Sequence, residues 1–291
     1  MKGSEFAESV KKLSPEARES AILLAFAKGY YPSWVDNKAF WRTVNVTATI
    51  KGTDYTLAFE CSPDYFSIGD NTDFIRMPAR PATYQAIASK LGAILPSRQL
   101  VKYIQSAAKY KCTPKPQTPD MSMINVPVFV KYNDIVEKQL ETLGGKPDSG
   151  LVSGDKKDVV VGPDLTGERV AIFGWIYPDG KIIQPYSTIH TVDHVDYSHG
   201  GRFVSRKCAV NGKVYNMEEL FKDPLLNPLV SDQGVFVPYF PNAAPPPYKK
   251  IIDFDNPELP REFGEIRFED TREFPMVGSA IAALAAWLSF K

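Results

Sequence analysis

Hydrophobic and polar positions follow two different periods in the first part of the chain, and they predict a helix followed by a β-hairpin. Ser14 and Pro15 form a helix start, because a hydroxyl caps the first turn and proline fits the first helical position; an apolar stripe then runs as far as Gly29. Residues 41–50 and 55–61 instead alternate apolar and polar side chains on either side of a turn. We therefore expect a helix and then two paired strands with one face on a core.

The middle of the chain has helical spacing that is interrupted by helix-breaking residues. Residues 81–91 and 97–109 are separated by Gly92 and Pro96, so they predict a pair of helices. Residues 113–120 contain three prolines, which predicts an extended linker and the best candidate for a boundary within the chain.

The pattern in the rest of the chain is mostly strand-like, with one further predicted helix. Residues 126–130 predict a short strand and residues 133–143 a helix, and short apolar runs separated by turn signals follow after Gly150. The strands predicted in this part are residues 159–161, 169–175, 181–190 and 202–210. The sequence thus predicts an α+β fold with N-terminal helices and a hairpin, a mostly antiparallel second half and a single main core.

One main domain is expected over residues 14–235, with a subdivision near residues 113–120 as the alternative. Residues 1–13 are interpreted as an N-terminal arm, because they begin with a sequence typical of an expression vector. Residues 236–291 are interpreted as a proline-rich arm that ends in an apolar helix over residues 277–290. This helix is shorter than the roughly 20 residues that span a bilayer, so we expect it to dock on the protein and predict no integral membrane span.

Composition narrows the classes of partner. The 291 residues are 44% hydrophobic, which is enough for a packed core. The 34 basic and 34 acidic side chains cancel, so no overall field attracts the protein to nucleic acid, and we expect no nucleic-acid partner. The three cysteines form no CxxC pair of the kind that binds zinc.

All three histidines of the protein lie within ten residues, and this cluster is the strongest functional signal. If residues 188–196 form a strand, then His190, His194 and Asp196 share one face and offer ligands for a divalent metal. A straight strand separates the two histidines by about 13 Å, however, which is too far for one ion unless a bulge or turn intervenes. The metal site stays an alternative, and no other cofactor is predicted.

A second interpretation needs no metal. The paired glycines at 200–201 allow a tight turn that exposes Ser198 and His199 at a strand end. In this hypothesis His199 or His190 is the general acid/base, an aspartate orients it, and Ser198 or a water attacks the substrate. Arg202 would hold an anionic group of the substrate.

The run Gly154-Asp155-Lys156-Lys157-Asp158 is the other polar constellation. It directly precedes a predicted strand, where a basic loop can receive an anion and an aspartate can act as a catalytic carboxylate. Function is expected here if the run meets the histidine segment in space.

Several stretches resemble a group of mostly uncharacterised bacterial proteins, some of them exported. They include SPDYFSIGDNTDFIRMP at 62–78, GDKKDVVV at 154–161 and VDYSHGGRFV at 195–204. The resemblance implies no activity, but it implies a secreted or periplasmic protein whose signal peptide has been removed, and it marks the shared polar residues as characteristic. Together with the two constellations it gives as candidate catalytic residues His190, His199, Asp196, Ser198 and Asp158, and as candidate substrate-binding residues Lys156, Lys157, Tyr197 and Arg202.

The favoured function is a hydrolase that acts on a polymer or conjugate, with a cell-envelope glycan or peptide as the candidate substrate. The sequence has no GxxxxGK[ST] or GxGxxG motif, and a His/Asp/Ser set needs no organic cofactor. The alternative is a non-catalytic module that binds a saccharide or a protein through the proline-rich arm and a set of aromatic side chains, namely Tyr30, Tyr31, Trp34, Trp41 and Tyr65.

Overall fold

The computed structural model describes residues 1–241, in which the first half of the chain contains five of the α-helices and the second half contains one, with strands in both. The α-helices of these residues are α1 (Gly3–Val10), α2 (Pro15–Ala27), α3 (Pro81–Lys90), α4 (Arg98–Ala107), α5 (Val126–Thr142) and α6 (Met217–Lys222). The strands of the first half are β1 (Arg42–Ile50), β2 (Thr53–Cys61), β3 (Ser67–Gly69), β4 (Phe74–Arg76), β5 (Ala93–Ile94) and β6 (Tyr110–Lys111). Those of the second half are β7 (Val152–Ser153), β8 (Lys157–Val160), β9 (Ala171–Ile176), β10 (Ile182–Ser187), β11 (His199–Gly200), β12 (Val204–Val210) and β13 (Lys213–Asn216).

Two sheets form the frame of the fold. One has the strand order β1-β2-β12-β13, with β5 paired to β12, and the other has the order β10-β9-β8-β11. Most neighbouring strands are antiparallel, while β8 pairs with β11 and β6 with β7 in parallel. The predicted α+β class, with a mostly antiparallel second half, is confirmed.

The first predicted elements are present, and local chemistry accounts for their limits. The Ser14 hydroxyl accepts a hydrogen bond from the Ala17 amide at 3.2 Å, which caps α2 as expected. The β1–β2 hairpin turns through Lys51 and Gly52, whose φ angles of 50° and 81° are typical of a two-residue hairpin turn.

The predicted strand over residues 126–130 is wrong, because these residues are the first turns of α5. Pro127 fits the first turn of a helix, where its missing N–H costs no hydrogen bond. Val126, Phe129 and Val136 are buried at helical spacing on one face, so packing outweighs the strand propensity of the three valines in this segment.

The segments on either side of the predicted main domain, residues 1–13 and 236–291, were both expected to be arms. Residues 3–10, expected to lie in an N-terminal arm, form α1, and Phe6 and Val10 pack into the main core. Residues 242–291, with most of the predicted arm and its terminal helix, lie outside the described residues. Just before them, the Phe240 amide donates to the Gln85 side-chain oxygen at 2.7 Å.

The two sheets meet where β11 leads into β12, and this junction lies beside the main hydrophobic core. The Ser62 amide donates to the Phe203 carbonyl and the Phe66 amide to the Gly201 carbonyl, each at 2.8 Å, so the segment after β2 holds the junction in place. A smaller hydrophobic cluster lies between the five-stranded sheet and helices α4 and α6. Within residues 1–241, no helix has both the length and the apolar character of a membrane-spanning segment.

Candidate functional site

A parallel strand pair brings the two polar sequence segments together. His199 in β11 lies opposite Lys157 in β8, and Gly200 lies opposite Asp158. The Lys157 amide donates to the Ser198 carbonyl at 2.7 Å. The GDKKD run and the histidine segment are distant in the sequence, but this pairing makes them direct neighbours in the fold.

The pleat of β8 separates Lys157 from Asp158. Successive strand residues point to opposite faces, so Lys157 shares a face with its partner His199 while Asp158 faces the other way. There the Asp158 carboxylate accepts a hydrogen bond from the Tyr65 hydroxyl at 2.7 Å, and burial raises the pKa of this carboxyl to about 7. Of the two aspartates predicted to orient a histidine, Asp196 is the one that contacts histidines.

Asp196 is the centre of the histidine cluster. Its carboxylate accepts hydrogen bonds from the Ser198 amide at 2.7 Å and the Ser198 hydroxyl at 2.5 Å. Its other oxygen lies 3.4 Å from His194 Nε2 and 3.7 Å from His199 Nε2. Burial by itself would raise the pKa of Asp196. The charge of His199 in its protonated form, the hydrogen bond with His194, the charge of Lys157 and the hydrogen bond from Ser198 together lower this pKa well below its usual range. Asp196 is therefore a buried carboxylate anion.

His190 and His194 are brought together by a turn. Strand β10 ends at Ser187, and the segment that follows folds back so that the two imidazole rings stack with centroids 4.1 Å apart and an interplanar angle of 11°. Both side chains are half-buried, and burial, followed by the charge of His194, lowers the pKa of His190. The segment predicted to be a strand over residues 188–196 is not one.

This stacking gives no support to the alternative metal site of His190, His194 and Asp196. A metal ion binds in the ring plane of each imidazole, and two parallel rings direct their lone pairs along parallel lines. Among residues 1–241, no group of three or more His, Cys, Asp or Glu side chains has an arrangement suited to a metal ion.

Ser198 and His199 are buried, contrary to the exposed turn expected from the paired glycines. His199 is 1% exposed, and burial lowers its pKa to about 4, so its imidazole is neutral at physiological pH. Gly200 and Gly201 instead allow the main chain to pack closely against two aromatic rings. A Cβ atom on Gly200 would lie 2.4 Å from the Tyr65 ring, and one on Gly201 would lie 2.3 Å from the Tyr84 ring.

Three of the predicted substrate-binding residues lie in the interior. The Lys156 ammonium donates to the Tyr197 carbonyl at 2.6 Å, and burial lowers its pKa. The Tyr197 hydroxyl accepts from the Gln117 amide at 2.7 Å, which attaches the proline-rich segment to the site. Arg202 donates to two main-chain carbonyls, of Ser62 at 3.1 Å and Val152 at 2.8 Å. These contacts position the chain, and substrate binding by these three residues stays a prediction.

Lys157 is the predicted binding residue that reaches the surface. It is half-buried, and its ammonium lies 5.0 Å from the centroid of the Trp175 ring. Trp175 has a left-handed φ of 51°, a conformation that costs energy for a residue with a Cβ and that is found at functional sites. Its indole N–H lies 3.1 Å from both the Asp155 carbonyl and the Tyr132 hydroxyl, and these bonds hold the ring in place.

A buried charge network behind the site was missed by sequence reasoning. Arg76 lies 2.6 Å from carboxylate oxygens of both Asp64 and Glu137, and 3.5 Å from the Asp155 carboxylate. Burial raises the pKa of Asp155, whose side-chain oxygens have no hydrogen bond among the described residues. The sequence gives no spacing signal for a network whose members come from such distant segments. Asp64, Arg76 and Asp155 fell in stretches with a recognised resemblance, but nothing in the sequence indicated that they meet.

Comparison with known proteins identifies no family for this chain. No protein-family model matches the sequence, and neither the curated proteins nor the solved structures give a significant match. The resemblance to a group of bacterial proteins therefore stays a prediction, and function has to be inferred from the site itself.

Proposed function

We propose that the protein is a hydrolase that acts on a polymer or conjugate, with a histidine oriented by Asp196 as its general acid/base. The observation that carries the proposal is the position of His194, whose side chain is one-third exposed while its Nε2 lies 3.4 Å from the buried Asp196 carboxylate. A carboxylate that fixes an accessible imidazole is the arrangement that general acid/base catalysis needs.

In this proposal His194 takes the general-base role. Its Nε2 faces Asp196, so the opposite nitrogen, Nδ1, removes a proton from a water molecule as that water attacks the scissile bond. The same proton then passes to the leaving group, which restores the neutral imidazole. His190 stacks on His194 and fixes its ring plane. A water is preferred over Ser198 as the nucleophile, because the Ser198 hydroxyl is buried and donates to Asp196.

His199, one of the two histidines expected to act as the base, has a positioning role in this proposal. It is buried, so a polymer could reach it only after the surrounding chain opens. Its Nε2 lies 3.7 Å from the same Asp196 carboxylate that His194 faces, so its ring packs against the orienting group. The choice of cell-envelope glycans or peptides as substrates, and of a secreted or periplasmic location, rests on the resemblance to exported proteins and is part of the proposal.

The test is cleavage of a defined panel of polymers. Purified peptidoglycan sacculi, casein and soluble polysaccharides are incubated with the wild type, His194→Gln and the control Lys181→Gln, which changes an exposed residue in the β9–β10 turn. We expect soluble fragments, detected by mass spectrometry, from the wild type and the control, and a loss of at least about 100-fold in rate for His194→Gln. Release of fragments from none of the panel, or full activity of His194→Gln, would overturn the proposal.

The binding-module alternative keeps only part of the aromatic surface that suggested it. Trp34, Trp41 and Tyr65 are each less than 5% exposed, so these three rings offer no stacking platform for a sugar. Tyr30 and Tyr31 are half-buried, and most of the proline-rich arm lies outside the described residues. Retention of the protein on one of the polymers without any cleavage would favour this alternative.

A further inference from the structure

We propose that Lys157 forms a binding site for a compact oxyanion, a carboxylate or phosphate group, at the edge of the Asp196 site. The inference rests on the proposed function for its biological meaning and deepens it, because it makes the substrate an anionic polymer or conjugate. Lys157 is suited to this role by its half-buried position, its unused hydrogen-bond donors and its charged neighbours.

The Lys157 ammonium has unused hydrogen-bonding capacity. An ammonium carries three donors, yet no described residue accepts a hydrogen bond from this one or forms an ion pair with it. The ammonium lies over the face of the Trp175 ring, which attracts a cation but accepts no conventional hydrogen bond. Burial lowers the pKa of this amine, and a bound anion would offset that cost.

Asp196 is the acidic group whose charge acts on Lys157, but it does not occupy these donors. Its carboxylate already accepts two hydrogen bonds from Ser198 and faces His194 and His199. Within residues 1–241, Asp196 pairs with these two histidines and forms no direct ion pair with the Lys157 ammonium. The amine is thus held near a buried anion and remains available to an incoming one.

The backbone fixes Lys157 beside the histidines. Its amide bonds to the Ser198 carbonyl, and its position opposite His199 places it on the face that carries the cluster. The charge of Lys157 acts on both His190 and His199, where it lowers the pKa of each imidazole. An anion bound to Lys157 would therefore lie within electrostatic reach of these histidines.

Nuclear magnetic resonance of the imidazoles tests this site directly, because the protein has only three histidines. Sodium acetate or inorganic phosphate is added to the full chain at constant ionic strength, with chloride as the balancing anion so that screening does not change. We expect saturable shifts of the His190 resonances and an increase in its pKa, since a nearby anion favours the protonated ring. The stronger of the two anions identifies the group as a carboxylate or a phosphate.

Matched variants assign the effect to Lys157. Lys157→Gln removes the charge and is expected to weaken anion binding about 10-fold or more, whereas Lys157→Arg and the control Lys181→Gln keep it. No saturable shift with either anion, or equal affinity in Lys157→Gln, would overturn the inference. Saturable binding through Lys157 in a protein that cleaves no polymer would support the anion site and reject the hydrolase.

Discussion

Replacing His199 by glutamine is expected to remove a specific part of the pH dependence of stability. The folded protein holds this imidazole with a pKa of about 4, against 6.5 for an unperturbed histidine. The unfolded chain therefore binds the proton more tightly, and the wild type loses stability as the pH falls from about 6.5 to about 4. A glutamine has no such proton to bind.

The size of the effect follows from the two pKa values. Between about pH 7.5 and about pH 5, proton uptake by the unfolded chain lowers the free energy of unfolding of the wild type by about 2 kcal/mol, a loss that His199→Gln does not share. Asp158 acts in the opposite sense, since its raised pKa stabilises the fold as the pH falls. Asp158 is present in both proteins, so its contribution cancels in the comparison.

Urea unfolding followed by tryptophan fluorescence at the two pH values measures this difference. The quantity of interest is the change in the free energy of unfolding with pH, compared between wild type and His199→Gln, so any constant cost of the substitution drops out. The half-buried His190 serves as the control, and His190→Gln is expected to show a smaller difference. Parallel pH dependence of the wild type and His199→Gln, within about 0.5 kcal/mol, would refute the burial of a neutral His199.

Three further predictions concern the interior around the site. Arg202→Met leaves two buried carbonyls without a donor, so we expect the loss of about 3 kcal/mol or more in urea unfolding; a loss below about 1 kcal/mol would contradict its positioning role. Gly200→Ala forces a methyl group against the Tyr65 ring and is expected to cost about 2 kcal/mol or more, against about 1 kcal/mol for Gly180→Ala in open space; equal melting temperatures would contradict the packing argument. Tyr65→Phe removes a donor to the buried Asp158 and should destabilise by about 1–3 kcal/mol in the same unfolding assay, whereas an unchanged stability would show that this bond is not formed.

Local signals made much of the secondary structure predictable. The start of α2 depends on a hydroxyl cap and a proline. The β1–β2 hairpin depends on the alternation of apolar and polar side chains and on a turn. All of these features are properties of adjacent residues. The segment at 126–130 failed because its valines favour a strand, while the buried face that makes it a helix is set by residues further along α5. Tertiary packing therefore determined that residues 126–130 are helical.

The composition of the site was partly predictable and its geometry was not. The clustering of the histidines and the basic run of the GDKKD segment predicted two polar segments of one site, and the parallel pairing of β8 with β11 makes these segments neighbours. On a straight strand the spacing of His190 and His194 would hold the two rings far apart. The sequence also allows a turn there, but nothing in it indicates the stacked arrangement that the turn produces. The strained Trp175 and the buried Arg76 network depend on contacts across the fold, which no sequence period encodes.

The rate of polymer cleavage by Asp196→Asn, relative to the wild type, tests the central claim most directly. The amide is nearly isosteric and can still accept from the Ser198 amide, so the fold is retained while the charge that orients His194 is lost. On a polymer that the wild type cleaves, we predict a loss of at least about 100-fold in rate with an unchanged circular dichroism spectrum. Cleavage by Asp196→Asn at the wild-type rate would contradict a histidine site organised by this carboxylate, as would a wild type that cleaves no polymer of the panel.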